Sequence, residues 1–209
     1  GGFDYGKQIG KSLIQFSIEG FYSKLSDTFI LHEIKRIENA RIMERINGSG
    51  SKVYGFSFDF GLILGPKLNF SSGWTIQRSK LDEPEPNFNC REFFRTPNSY
   101  GYVTMNYKND RLINMNISME YTGKMKVPHF AGYIEKDILE ITSPFYVVNV
   151  KFDKTINFSE NTNTRFFIGA YNILDSYQKD LDKGADRDSG YVYGPAKPRA
   201  FYTGFEFSF

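Results

Sequence analysis

The sequence predicts an all-β chain folded as an antiparallel transmembrane β-barrel. Three observations carry this expectation. Apolar and polar residues alternate with period two in segment after segment, the pattern of a strand with hydrocarbon on one side and water on the other. No apolar run approaches the roughly 18 residues that a membrane helix needs, whereas a membrane strand needs only about 9 to 11 with every second one apolar. The connections are by turns short and long, as in a barrel with tight turns at one end and long loops at the other.

In chain order, the first strand is expected over residues 14–22, followed by a long connection over 24–50. Ile30, Ile34 and Ile37 recur there at helical spacing, which leaves a short helix or an extension of the flanking strands open. Residues 53–64 give the clearest alternation. Tyr54, Phe56, Phe58, Phe60 and Leu62 are expected to face lipid, and Ser57 and Asp59 the lumen, with Gly55 and Gly61 beside them. A tight Gly65-Pro66-Lys67 turn leads into 68–77, and a long segment over 81–98 into 99–108. After a tight turn at Lys108-Asn109-Asp110, residues 112–121 set Ile113, Met115, Ile117, Met119 and Tyr121 against the lumen-facing Asn114, Asn116 and Glu120. A long connection over 123–143 precedes the strand at 145–157, a short one at 159–163 precedes 164–174, and a long one over 176–198 precedes 200–209. Eight strands result. Tyr100, Tyr107, Phe145 and Tyr146 fall near strand ends, where interfacial girdles sit. A soluble antiparallel sandwich also alternates. Against it stands the small or uncharged character of the polar face at Gly55, Ser57, Gly61, Asn69, Ser71 and Gly73.

Composition narrows the function. Aromatics are 17% of the chain, yet mean hydropathy is −0.43, which suits β-structure with one wet face. The net charge of +2, with basic residues scattered, gives no reason to expect nucleic acid. The single Cys90 excludes an internal disulfide and a multi-cysteine zinc site. Catalysis has little support: His32 and His129 lie in expected outer loops as solvated side chains, neither has a nucleophile context, and no glycine-rich phosphate loop occurs. No cofactor is expected. The Asn-x-Ser sequons at Asn47, Asn69, Asn116 and Asn157 read as chance matches, several lying inside strands.

Two loops carry candidate ligands. Asp175, Asp180, Asp182, Asp186 and Asp188 offer oxygens suited to a hard cation, but Lys179, Lys183 and Arg187 are interleaved with them, which favours a solvated, internally salt-bridged loop. Gly123-Lys124-Met125-Lys126-Val127-Pro128-His129 offers a thioether and an imidazole. Lys124, Met125 and His129, with Tyr133 in the same connection, are the candidate ligand contacts.

The segment Gly169-Ala170-Tyr171-Asn172-Ile173-Leu174-Asp175, a long polar loop, and Tyr193-Gly194-Pro195-Ala196-Lys197-Pro198-Arg199-Ala200-Phe201-Tyr202-Thr203-Gly204-Phe205-Glu206-Phe207-Ser208-Phe209 together resemble the end of TonB-dependent outer-membrane receptors. The resemblance implies an Asn-Leu-Phe-Asp-like motif closing the penultimate strand, a Pro-Arg pair opening the last, and Phe209 as the terminal aromatic read by the barrel-assembly machinery. It is best over about the last forty residues. It further implies that residues 1–209 are the C-terminal part, about the last eight strands, of a barrel of roughly 22 strands around a plug domain. The plug and the N-terminal strands are then absent from this chain, and the opening Gly1-Gly2-Phe3, without a basic and apolar leader, suits an excised or processed end. The implied partners are the remainder of the same receptor, TonB through that missing part, outer-membrane lipid, and a surface lipoprotein. The implied activity is import of a scarce ligand, first a ferric siderophore or haem, with cobalamin, copper or glycans as alternatives. A stand-alone small barrel with a structural or adhesive role is the competing expectation.

Overall fold

A computed structural model describes residues 1–37, 40–109, 111–159 and 162–209. Among them are the strands β1 (Gly2–Ile9), β2 (Ser12–Leu25), β3 (Phe29–Ile37), β4 (Ala40–Asn47), β5 (Ser51–Leu64), β6 (Leu68–Leu81), β7 (Ser99–Tyr107), β8 (Asn114–Thr122), β9 (Lys126–His129), β10 (Ile138–Ile141), β11 (Phe145–Asn157), β12 (Asn163–Tyr171) and β13 (Ala200–Ser208). Nine of them make one antiparallel sheet in the order β1-β2-β5-β6-β7-β8-β11-β12-β13. Each strand pairs with the next one in the sheet, the arrangement reached when every connection turns back on itself.

All eight expected strands are present, and β1 adds a ninth. β1 pairs with β2 from Gly2↔Glu19 to Ile9↔Ser12, so the first edge of the sheet is β1 rather than the strand at 14–22. Gly10, at φ +59°, lets the chain reverse in two residues, a conformation that costs other residues a clash at Cβ. The short connections β1–β2, β5–β6, β7–β8 and β11–β12 fall at one end of the sheet and the long ones at the other. Asp110 of the expected tight turn, and the middle of the 159–163 turn, lie outside the described residues.

The first long connection is neither helical nor part of the main sheet. It forms the separate hairpin β3–β4, whose register skips one residue between Glu33 and Lys35. The bulge brings Ile30 and Ile37, seven residues apart, onto one face and so produces the helix-like spacing.

The distribution of apolar surface is the reverse of that in a soluble sandwich. The alternation in β5, β6, β12 and β13 leaves Phe56, Ile76, Ile168 and Phe205 at 69%, 68%, 59% and 71% exposure. Among the described residues no second layer covers this face. Burial of apolar side chains lies instead mostly among the long connections, at Cys90, Met125, Val127 and Tyr191, and at the strand ends beside them, at Leu81, Phe145 and Ala170. No helix is long and apolar enough to cross a membrane, which says nothing of crossing by strands.

Register also corrects the expected girdle. Tyr100 pairs with Thr75 and Phe145 with Thr122, both polar-face residues, so these two aromatics point to the polar side. Tyr22, Tyr54, Tyr121 and Tyr146 occupy the apolar side near the long-loop end, joined by Trp74, whose ring centroid lies 5.6 Å from that of Tyr121. On the polar side, the Tyr202 ring lies over Gly169, where a Cβ would come within 2.4 Å of it. Glycine there admits the aromatic plate.

Candidate functional site

Two regions carry the chemistry of the molecule: the polar face of the sheet and the cap formed by the long connections. On the polar face, short side chains bridge neighbouring strands. Ser57 and Thr75 hydroxyls lie 3.0 Å apart, Ser71 and Thr104 hydroxyls 2.6 Å, and Asn149 donates to Ser118 at 3.1 Å. Asn116 donates to Asn106. Asp153 accepts from Asn114 and from Arg165, each at 2.9 Å, and Arg165 continues toward Glu206 at 3.9 Å. Asp59 and Glu120 lie on the same face and are exposed. Near the short-turn end this face lines a cavity of about 630 Å³ that includes Lys108, Lys151, Asp153 and Arg165.

The cap ties three long connections into one body. Met125 and Val127 pack with Tyr191, which is 2% exposed. The Tyr191 ring stacks on His129 at 3.7 Å between centroids and 7° between planes. His129 Nε2 lies 3.0 Å from both carboxylate oxygens of Asp182, which also accepts from the Asp188 amide at 2.9 Å. Asp188 accepts in turn from the Phe130 amide at 3.0 Å. Arg95 donates to the Val192 carbonyl at 2.8 Å and to that of Gly190, and Glu92 pairs with Lys126 at 2.8 Å. The segments 82–98, 123–144 and 172–199 are therefore cross-linked by side chains onto backbone and by buried polar pairs.

Titration in the cap follows these contacts. Burial opposes ionisation of Asp180, but hydrogen bonds from the Tyr193 and Tyr191 phenols outweigh it and hold the carboxyl below the usual carboxylate range. Burial, reinforced by Asp180, pushes Tyr193 up to about 12 and raises Tyr191 further. The hydrogen bond from Lys126 lowers the Glu92 carboxyl and raises the ammonium in return.

The expected ligand contacts divide. Lys124 is exposed and Tyr133 is 53% exposed, so both are accessible from solvent. Met125 and His129 are 7% and 5% exposed and turn inward, Met125 to fill the apolar cluster and His129 to meet Asp182 and Tyr191. His32, expected in a loop, lies on β3 and is exposed as expected, whereas His129 is not the solvated side chain its expected loop position implied. Asp180, Asp182 and Asp188 are separately engaged by phenols, an imidazole and backbone amides, and Asp186 is exposed on the loop surface. Among the described residues, no group of three or more His, Cys, Asp or Glu side chains is gathered as a metal site.

The terminal motif has a structural explanation. Asn172, in the left-handed region at φ +47° and 2% exposed, donates to the Ser176 and Lys197 carbonyls and accepts from the Ser176 amide. Asp175 accepts from the Arg199 amide at 3.0 Å, and the Arg199 guanidinium reaches the Ile173 carbonyl at 3.3 Å. The two halves of the motif thus close the base of the last long loop. Phe209 lies beyond β13, 95% exposed and 5.8 Å from Phe207 between ring centroids. If it acts as an assembly signal, deleting it should lower the amount of protein in the outer membrane without changing ligand affinity per assembled molecule. Quantitative surface labelling checks this, and normal surface levels would count against the role.

No family model and no curated relative matches the sequence. Solved structures do match. The ferric-catecholate import receptor Fiu of Escherichia coli K12 aligns with 95% of this chain at a TM-score of 0.63 and 17% identity, over 25% of its own length. The siderophore receptor PirA of Acinetobacter baumannii aligns with the whole chain at 0.60 and 16% identity, over 31% of its length. The copper transporter OprC aligns with the whole chain at 0.62 and 13% identity, over 30% of its length. The chain thus spans a quarter to a third of these receptors. In fold, this nine-stranded antiparallel meander with its long loops at one end is that of part of the β-barrel of these TonB-dependent outer-membrane receptors.

Proposed function

We propose that this chain supplies the closing strands of an outer-membrane, TonB-dependent import receptor, and that its cargo is a scarce iron complex, a siderophore or haem. The observation that carries this reading is the inverted polarity of the sheet: a bare apolar outer face, a hydrogen-bonded polar inner face, and long connections gathered into a cap at one end. Unpaired strand edges cannot face hydrocarbon, and β1 and β13 end the sheet without pairing with each other. The barrel is therefore completed by further strands of the same receptor, with the polar face around a plug that communicates with TonB. A surface lipoprotein is a further partner for the cap. Binding and conformational work suffice for this role, and no covalent step is required of any residue.

Iron complexes come first because two of the three described neighbours are an import receptor for ferric catecholates and a siderophore receptor. Copper is the second reading, supported by OprC. The test is uptake by cells carrying or lacking the intact receptor, supplied in turn with labelled ferric siderophores, haem and copper. One of these should enter only when both the receptor and TonB are present. Lys124→Ala with Tyr133→Ala should reduce that uptake several-fold while surface levels stay constant. Equal uptake of every compound with and without the receptor would refute the proposal.

A further inference from the structure

Above the apolar band of the outer face lies a row of cations. Register aligns Lys24 with Lys52 and Lys52 with Lys80, so three lysines stand side by side on β2, β5 and β6, separated by the strand spacing of about 4.8 Å. Parity places all three on the face of Phe56 and Phe58. Two residues nearer the middle of each strand lie Tyr22, Tyr54 and Arg78, again aligned with one another. Like charges directly opposite each other destabilise a pair of strands, so a lysine triplet in register needs anionic compensation. Asp82, 3.7 Å from Lys52, supplies one carboxylate. Among the described residues Lys24 and Lys80 have no ion-pair partner, and the charge of Arg78 reaches Glu92, which is already bonded to Lys126.

Position identifies what completes the compensation. The lysines lie at the long-loop end, immediately beyond exposed tyrosines of the apolar face, where long cationic side chains extend from hydrocarbon toward headgroups. Lysine offers three donors to a point charge and is a good phosphate binder. We propose that Lys24, Lys52 and Lys80 bind the phosphate groups of a phosphorylated lipid in the leaflet on the long-loop side, with Arg78 and the tyrosines seating its upper acyl and sugar region. This inference rests on the membrane-barrel reading above and adds a specific lipid site to it.

The test uses the intact receptor in detergent, delipidated and titrated with diphosphoryl lipid A, with bound lipid counted by native mass spectrometry. A lysine at an anionic lipid surface contributes about fivefold in affinity, so replacing all three by glutamine should weaken binding by about a hundredfold. Fully dephosphorylated lipid A should bind wild type no better than diphosphoryl lipid A binds the triple variant. Millimolar inorganic phosphate should fail to displace the lipid; displacement would reassign the site to free phosphate and overturn the lipid assignment. Lys7→Gln, on the outer face at the opposite end of the sheet, should leave binding unchanged. Heat-modifiable migration of each variant reports whether the barrel has folded. A heat-modifiable barrel that binds both lipids equally, or whose triple variant binds like wild type, overturns the site and leaves the barrel reading intact. Failure of any barrel to form in wild type overturns both.

Discussion

Phe58→Arg should cost on the order of 2 to 4 kcal/mol and largely abolish assembly, whereas Asp59→Arg, one residue away, should leave assembly nearly unchanged. The contrast follows from opposite demands on neighbouring side chains. Phe58 lies near the middle of β5, on the face whose apolar side chains have no covering layer, so an arginine there would place its charge at the bilayer midplane. Asp59 points to the polar face, with Ser17 and Gly73 as its cross-strand partners, and a longer cation there meets water and hydrogen-bonding groups. A soluble core would also reject arginine at position 58, so assembly alone does not discriminate. Nitroxide labels at cysteines introduced at 58 and 59 do, once Cys90, the only native cysteine, is replaced by serine. The label at 58 should relax with oxygen dissolved in hydrocarbon and that at 59 with a water-soluble reagent. Equal water exposure at both positions would rule out a membrane barrel.

The strands were legible because a membrane barrel writes its environment into every second residue. Between residues 54 and 62 of β5 and between 114 and 121 of β8, each polar-face position is small, amide-bearing or acidic, and each opposite one is aromatic or apolar. β1 escaped because its outward face runs Phe3, Tyr5, Lys7, Ile9, with a lysine interrupting the apolar series. In the β3–β4 hairpin a bulge turned a period of two into an apparent helical spacing, a change that no composition rule anticipates.

Aromatics near strand ends were harder to place, since proximity to an end says nothing of parity. Tyr146 and Phe145 are adjacent residues and face opposite sides. The cap was the least legible part. His129 and Asp182 are 53 residues apart, and Arg95 lies 97 residues from Val192, so neither pairing leaves a local periodicity to read. The motif near the C-terminus was visible as a resemblance. Its cause, Asn172 and Arg199 closing one loop base, joins residues too far apart in sequence to leave a local pattern. The lysine row was hidden for the same reason: Lys24, Lys52 and Lys80 are 28 residues apart in sequence and become neighbours only through register.

Tyr191→Ala should open the cap, costing about 3 to 5 kcal/mol locally, because truncation of a buried aromatic loses its transfer energy and leaves a cavity. Tyr191 is 2% exposed, packs with Met125 and Val127, stacks on His129, and donates to Asp180 at 2.8 Å. Tyr191→Phe removes only the last of these, and Tyr193 still donates to Asp180, so its cost should stay near about 1 kcal/mol. Hydrogen exchange is the measurement. In the alanine variant amides of residues 125–130 and 178–193 should lose protection together, while those of β5 to β8 keep theirs.

Extremes of pH should act on the same body from both sides. Asp180 is held below its ordinary value, so its contribution is present above that value and lost as pH falls through the lowered one. Tyr193 is held above its ordinary value, so its contribution is present below that value and lost as pH rises toward about 12. Protection in 178–193 should therefore peak between these limits and fall outside them. Loss of protection in one segment of the alanine variant without the other would mean that His129 and Tyr191 do not couple the two loops, and that each is held by its own contacts.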